Sequence, residues 1–172
     1  PGLVIVFALL ITLTFWIVHL VTPGRPFLAA FVVLLAAITS ALVWGARPQI
    51  FNLLFTALFV FIVEWFKDGK LSKRILCLLP FFSFFWANFH SGYLLGIVLL
   101  GTYVAGNAMQ QWRGADERTL PWSDIRFLAL MTVLSFLAAG LNPNGAELWI
   151  YPFLTLGSSA MQAYIQEWHS PD

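Results

Sequence analysis

"FNLLFTALFVFIVEWFKDGKLSKRILCLLPFFSFFWANFHSG", Phe51 to Gly92, holds two apolar runs separated by a short, strongly basic joint. Crossing a bilayer takes about 20 apolar residues, with a lower limit near 17. The run Ile50–Phe66 meets that length, while Ile75–Phe89 is shorter and contains Pro80, which predicts a kink or a partial span. The joint carries Lys67, Lys70, Lys73 and Arg74, and the second run ends in Asn88, His90 and Ser91 before apolar sequence resumes. A pair of apolar helices turning back on themselves, cations at one end and amides at the other, is the unit from which the fold is read.

The same pattern extends in both directions. Further apolar runs cover Leu3–Val21, Phe27–Trp44, Tyr93–Trp112 and Ile125–Leu141, and the joints "TPGRP", "GARPQ", "HSG" and "RGADERTLPWSD" combine Gly or Pro with polar residues. Of the 172 residues, 60% are hydrophobic and only 10% are charged. A soluble domain carries about 25% charged residues and needs them to cover its surface. The expectation is an all-α, polytopic transmembrane bundle of about six spanning helices over residues 1–141, then an external turn and interfacial helix region over 142–172. The chain starts at Pro1, already inside an apolar run and without a basic leader or cleavage site. It therefore reads as a piece of a longer polytopic protein.

Several function classes are excluded. The net charge of +1 comes with no basic stripe, so nucleic acid is not an expected partner. The single cysteine, Cys77, rules out an internal disulfide and a cysteine zinc site and reads as a small core or lipid-facing residue. No phosphate-binding loop, nucleophile elbow or metal-spaced His/Cys set occurs, so no cofactor is expected and a divalent metal is not indicated.

Lys and Arg set the orientation. Arg25, the four cations of the central joint, and Arg113, Arg118 and Arg126 fall in alternate joints, eight against Arg47 alone on the other side. Because cytoplasmic loops carry the excess of Lys and Arg, both ends of the chain are expected outside, in a multi-pass membrane protein. The same assignment gathers Arg47, Gln49, Asn88, His90, Ser91, Asn142, Asn144, Glu147, Gln166, Glu167 and His169 at the external face. Such a set can hold a phosphate headgroup and a sugar, and polar groups at that depth need partners.

Each residue also has a plain structural reading. Arg47 can snorkel at a helix start, Asn88 can cap a helix end, His90 can bond backbone, and Asn142 and Asn144 can simply form the "LNPNG" turn. Glu64 is expected to pair with Lys67 or snorkel, His19 to be interfacial, and "PFFSFFW" to be bulky packing or lipid contact. In the tail, "AELWIYPFLTL" is too short to span and is interrupted by Pro152. After it, Ser159 and Gln162 stand at capping-box spacing before an apolar stripe of Met161, Tyr164, Ile165 and Trp168, a short interfacial helix.

Three stretches in this order carry a resemblance: "RPQIFNLLFTAL" (Arg47–Leu58), "FFWANFHSGYLLG" (Phe84–Gly96) and "LNPNGAELWIYPFLTLGSSAMQAYIQEWHSPD" (Leu141–Asp172). They resemble the middle of large bacterial polytopic proteins related to the PMT/ArnT-like glycosyltransferases of the GT-C superfamily; the resemblance extends over about three quarters of the chain, the first apolar run matching only in character, and it implies a place in the bacterial inner membrane. The resemblance implies transfer of a sugar from a polyprenyl-phosphate carrier to an acceptor on the non-cytoplasmic side, with the catalytic base, an acidic residue, in an external loop upstream of Pro1. It further implies that Arg47 binds the carrier phosphate, that Asn88 and His90 line the sugar or acceptor site, and that Glu147, Glu167 and His169 form the outer rim. Partners on this reading are membrane lipid and a polyprenyl-phosphate-linked sugar. The alternative is a non-catalytic helical scaffold or accessory subunit of a larger membrane complex. A transporter ranks last, because the helix interiors offer little charge.

Overall fold

The computed structural model describes residues 2–22, 24–41 and 44–164. Every regular element among them is helical: α1 (Gly2–Val21), α2 (Pro26–Ser40), α3 (Ile50–Lys67), a 3₁₀ turn (Lys73–Cys77), α4 (Leu78–Phe89), α5 (Tyr93–Arg113), α6 (Trp122–Ala139), α7 (Glu147–Gly157) and α8 (Ser159–Tyr164). Helices α1, α3, α5 and α6 are long and apolar enough to cross a membrane. Six such spans were expected, and two of the apolar runs form shorter helices.

The reasons are local. Helix α2 stops after 15 residues. Its last turn carries Thr39 and Ser40, whose hydroxyls bond back to the carbonyls of Leu35 and Ala37 at 3.0 Å each, in competition with the backbone. The fourth run splits at Pro80, which has no N–H to give the carbonyl of Leu76 and whose ring would collide with it. The chain before it winds as a 3₁₀ turn instead, with the Ile75 N–H on the Ser72 carbonyl at 3.0 Å, and Pro80 falls in the first turn of α4, where a missing donor is harmless.

Alternate joints meet at opposite ends of the bundle. At one, the basic end, the Arg118 guanidinium bonds Glu64 at 3.2 Å and Asp68 at 2.9 Å, and Lys73 bonds Asp124 at 2.7 Å. Trp65 Nε1 donates to the Leu20 carbonyl there at 3.4 Å. Glu64 thus pairs with Arg118, 54 positions along the chain, and not with the neighbouring Lys67. At the other, the amide end, Asn52 meets His90, Asn88 meets Asn142, and Tyr93 meets Leu148.

Packing explains the arrangement. Helix α4 packs most extensively against α6. The two run parallel, and Leu79, Ser83 and Ala87 of α4 and Met131, Ser135 and Ala139 of α6 are all buried. These residues recur every fourth position and are small toward the amide end, so the backbones approach closely there. Helix α3 lies against α1, α4 and α5 and packs Phe55 and Phe59 against the fully buried Trp86 of α4. The Trp86 indole stacks on Phe55 at 5.5 Å and meets Phe59 edge-on at 5.4 Å. A methyl group on Gly96 would approach the indole to 2.6 Å, so α5 passes here only as glycine. Among the described residues α2 packs on α1 alone, and its outward face of Phe27, Leu28, Phe31 and Leu34 is exposed, as suits contact with lipid.

Candidate functional site

At the amide end a cleft of about 490 Å³ opens between the end of α4 and the start of α7. Of the residues expected at a site, Asn88, His90 and Glu147 line it, together with Ser91, Asn142 and Asn144. Arg47 does not line it: this residue is exposed ahead of α3, with the stem of its side chain beside Gly45. Glu167 and His169 lie outside the described residues, as do Gln166 and Trp168.

The back of the cleft is organised by a residue that sequence reading passed over. Asn52, in the first turn of α3, accepts a 2.7 Å hydrogen bond from the buried Trp86 Nε1 on its Oδ1. That bond orients the amide so that Nδ2 faces His90 Nδ1 at 3.0 Å. The backbone N–H of Gly92 donates to the same nitrogen, also at 3.0 Å. Since an N–H can only donate, Nδ1 is an acceptor and the ring proton sits on Nε2. Half-burial lowers the pKa of His90 below the ordinary 6.5, and two donors on Nδ1 favour the neutral ring in the same direction. The signal for Asn52 was present in "IFNLLFTAL": an amide inside an apolar helix is costly in a bilayer unless it has a partner.

Asn88 and Asn142 form the side wall. Asn142 Nδ2 donates to Asn88 Oδ1 at 3.0 Å and to the Ala87 carbonyl at 3.2 Å, while Asn88 Nδ2 donates to the Phe84 carbonyl at 2.8 Å. Asn142 also accepts from the Asn144 N–H at 3.0 Å, an Asx turn that starts the "NPNG" reversal. Gly145 completes it with φ of +53°, a backbone region that glycine enters without strain.

Helix α7 is the front wall, and it continues through Pro152. Proline leaves the carbonyl four residues earlier, that of Leu148, without its helical donor. The buried hydroxyl of Tyr93 supplies one at 3.0 Å. Trp149 completes the docking by stacking on Phe136 of α6 at 4.8 Å over Gly140, where a methyl group would come within 2.6 Å of the indole. The cap of α8 is Ser158, whose Oγ accepts from the Met161 N–H at 3.3 Å, one residue before the expected Ser159.

The cleft therefore offers amides, the hydroxyls of Ser91 and Tyr151, a neutral imidazole and one carboxylate, Glu147. No Lys or Arg is among its lining residues. Such a surface exchanges hydrogen bonds with hydroxyl groups and lacks the charge that a phosphate requires. No protein-family model, curated protein or solved structure matches the chain.

Proposed function

We propose that the cleft binds the uncharged, hydroxyl-rich part of a lipid-linked sugar or of its acceptor, within a membrane protein that transfers sugar on the non-cytoplasmic side. The observation that carries this reading is the lining itself: paired donors and acceptors around a neutral His90, with no cation. The separation of the basic end from the amide end supports an external cleft, because Lys and Arg are retained on the cytoplasmic side. Six crossings of a bacterial inner membrane fit as well. The 5-residue 3₁₀ turn and 12-residue α4 together rise about 28 Å, close to the hydrocarbon thickness of about 30 Å.

On this proposal the carrier phosphate lies outside the cleft, toward Arg47, which precedes α3 and so belongs to the same end as Asn52. Guanidinium suits a phosphate better than any group lining the cleft. The chain supplies binding and orientation, and the resemblance assigns the carboxylate base that takes the acceptor proton to a loop outside this sequence.

The test uses the intact protein in liposomes, with polyprenyl-phosphate hexoses and the sugar-free polyprenyl phosphate as probes. His90→Ala and Glu147→Gln each weaken hexose-carrier binding about tenfold, by loss of hydrogen bonds to hydroxyls, and leave the sugar-free carrier unaffected. Arg47→Ala weakens both probes. Equal binding of both carriers by wild type and cleft variants removes the sugar from the cleft. A scaffold role is the second reading, favoured by the Asn88 and Asn142 amides, which are spent on bracing the wall. That reading requires neither probe to bind.

A further inference from the structure

A second cavity, of about 470 Å³, lies on α5 at the basic end, and its lining includes Lys67, Leu99, Thr102, Tyr103, Gly106 and Gln110. Three features set it apart from ordinary surface. The first is Lys67. Lys70, Lys73 and Arg118 each form a salt bridge with a carboxylate, whereas Lys67 forms none among the described residues: it lies within electrostatic reach of Asp116 and rests 5.8 Å from the centre of the Tyr103 ring. The second is Gly106. Glycine inside a helix is less favourable than alanine, and a methyl group added here would meet nothing within 4 Å. No neighbouring group of the described chain uses the space that glycine leaves. The third is continuity along the helix, for the exposed apolar residues Val98 and Leu95 lie one and two turns from Thr102 toward the amide end, on the same face of α5.

Charge at the polar end of a groove and bare apolar surface toward mid-membrane match the two parts of one molecule. We infer that this groove is a binding site for an anionic phospholipid, its phosphate on Lys67 and its acyl chain over Gly106 and along Val98 and Leu95. Gln110 supplies amide donors beside the phosphate, and Arg113, one turn further along α5, adds positive potential at the headgroup level. The hydroxyl of Thr102 is turned back to the Val98 carbonyl at 2.9 Å, so it presents its methyl group to the groove. The site stands independently of what the amide-end cleft binds.

Native mass spectrometry of the intact protein, reconstituted with phosphatidylglycerol or phosphatidylcholine, reads this directly. Phosphatidylglycerol is retained in preference. Lys67→Gln lowers its apparent affinity about fivefold, the effect of one cation near a membrane surface. Gly106→Leu fills the groove from open space without disturbing the core and abolishes retention of both lipids. Lys67→Arg preserves the preference, and Lys73→Gln, which breaks the ion pair with Asp124 instead, leaves it unchanged. Equal retention of the two lipids, or insensitivity to both Lys67→Gln and Gly106→Leu, overturns the assignment. So does displacement of the lipid by millimolar inorganic phosphate, or protection of an introduced Gly106→Cys by another helix of the protein in lipid-free detergent.

Discussion

The hydroxyl of Tyr93 donates a 3.0 Å hydrogen bond to the carbonyl of Leu148, the acceptor that Pro152 leaves without a helical partner. One proline thereby fixes where α7 docks, and with it the front wall of the amide-end cleft. Tyr93→Phe leaves a buried carbonyl unsatisfied, which costs about 1–3 kcal/mol. Pro152→Ala returns an N–H four residues on, so in that background Tyr93→Phe costs distinctly less. Unfolding midpoints of the four proteins in one detergent measure the coupling, and strict additivity would refute the relationship.

Gly92 has an ordinary helical φ of −70°, so its backbone alone would accept any residue. The constraint is steric, since a methyl group would overlap the Asn52 amide. Gly92→Ala therefore displaces Asn52 from His90 and Trp86, at a cost of about 1–3 kcal/mol for overpacking. Nitrogen chemical shifts of the His90 ring report the change: the Nδ1 resonance moves as the Asn52 donor is lost, while the backbone N–H of residue 92 keeps the Nε2–H form. An unaltered Nδ1 resonance would show that Asn52 does not bond the ring.

Much of the architecture could be read from composition because the apolar runs are long and their joints are marked by Gly and Pro. Helices α1, α3, α5 and α6 begin and end within three residues of the runs from which they were expected. What could not be read depended on partners distant in sequence. Asn52 acts on residues 34 and 38 positions away, and Glu64 finds Arg118 across 54. Neither distance leaves a trace in local spacing. Pro80 did announce an irregular fourth helix, but only the geometry of the Leu76 carbonyl explains why the irregularity is a 3₁₀ turn. Topology was enough to gather Asn88, His90 and Glu147 at one end. It could not reveal that Asn88 is spent on the wall while Arg47 stays outside the cleft.

The α4–α6 contact makes a prediction with two signs. The hydroxyls of Ser83 and Ser135 are buried and have no hydrogen-bond partner among the described residues. Serine serves here for its size. Ser135→Ala therefore leaves stability unchanged or raises it, because an unpaired polar group is removed. Ser135→Leu forces two closely packed helices apart and costs about 1–3 kcal/mol or more. Thermal unfolding of both variants in detergent decides the matter, and a marked loss in Ser135→Ala would show that the hydroxyl is bonded after all.

His90 gives a pH dependence whose sign follows from its environment. Burial sets its folded pKa below 6.5, so between that folded value and 6.5 the unfolded chain binds more protons than the folded one. Its contribution to stability is complete above about pH 6.5, declines as the pH falls toward the folded pKa, and is constant below it. Asn52→Asp reverses the slope. A carboxylate facing Nδ1 accepts a proton from the ring instead of donating one to it, and its charge favours imidazolium. The pKa then rises above 6.5, and stability from this pair increases on acidification through the new value and is lost as the pH climbs past it. Trp86 retains an oxygen acceptor at position 52, so the core contact survives the exchange. Titration of the His90 ring by NMR, with unfolding midpoints at pH 5 and pH 7.5, separates the two proteins. A wild-type ring that titrates at or above 6.5 would mean that neither burial nor the Asn52 and Gly92 donors hold it neutral.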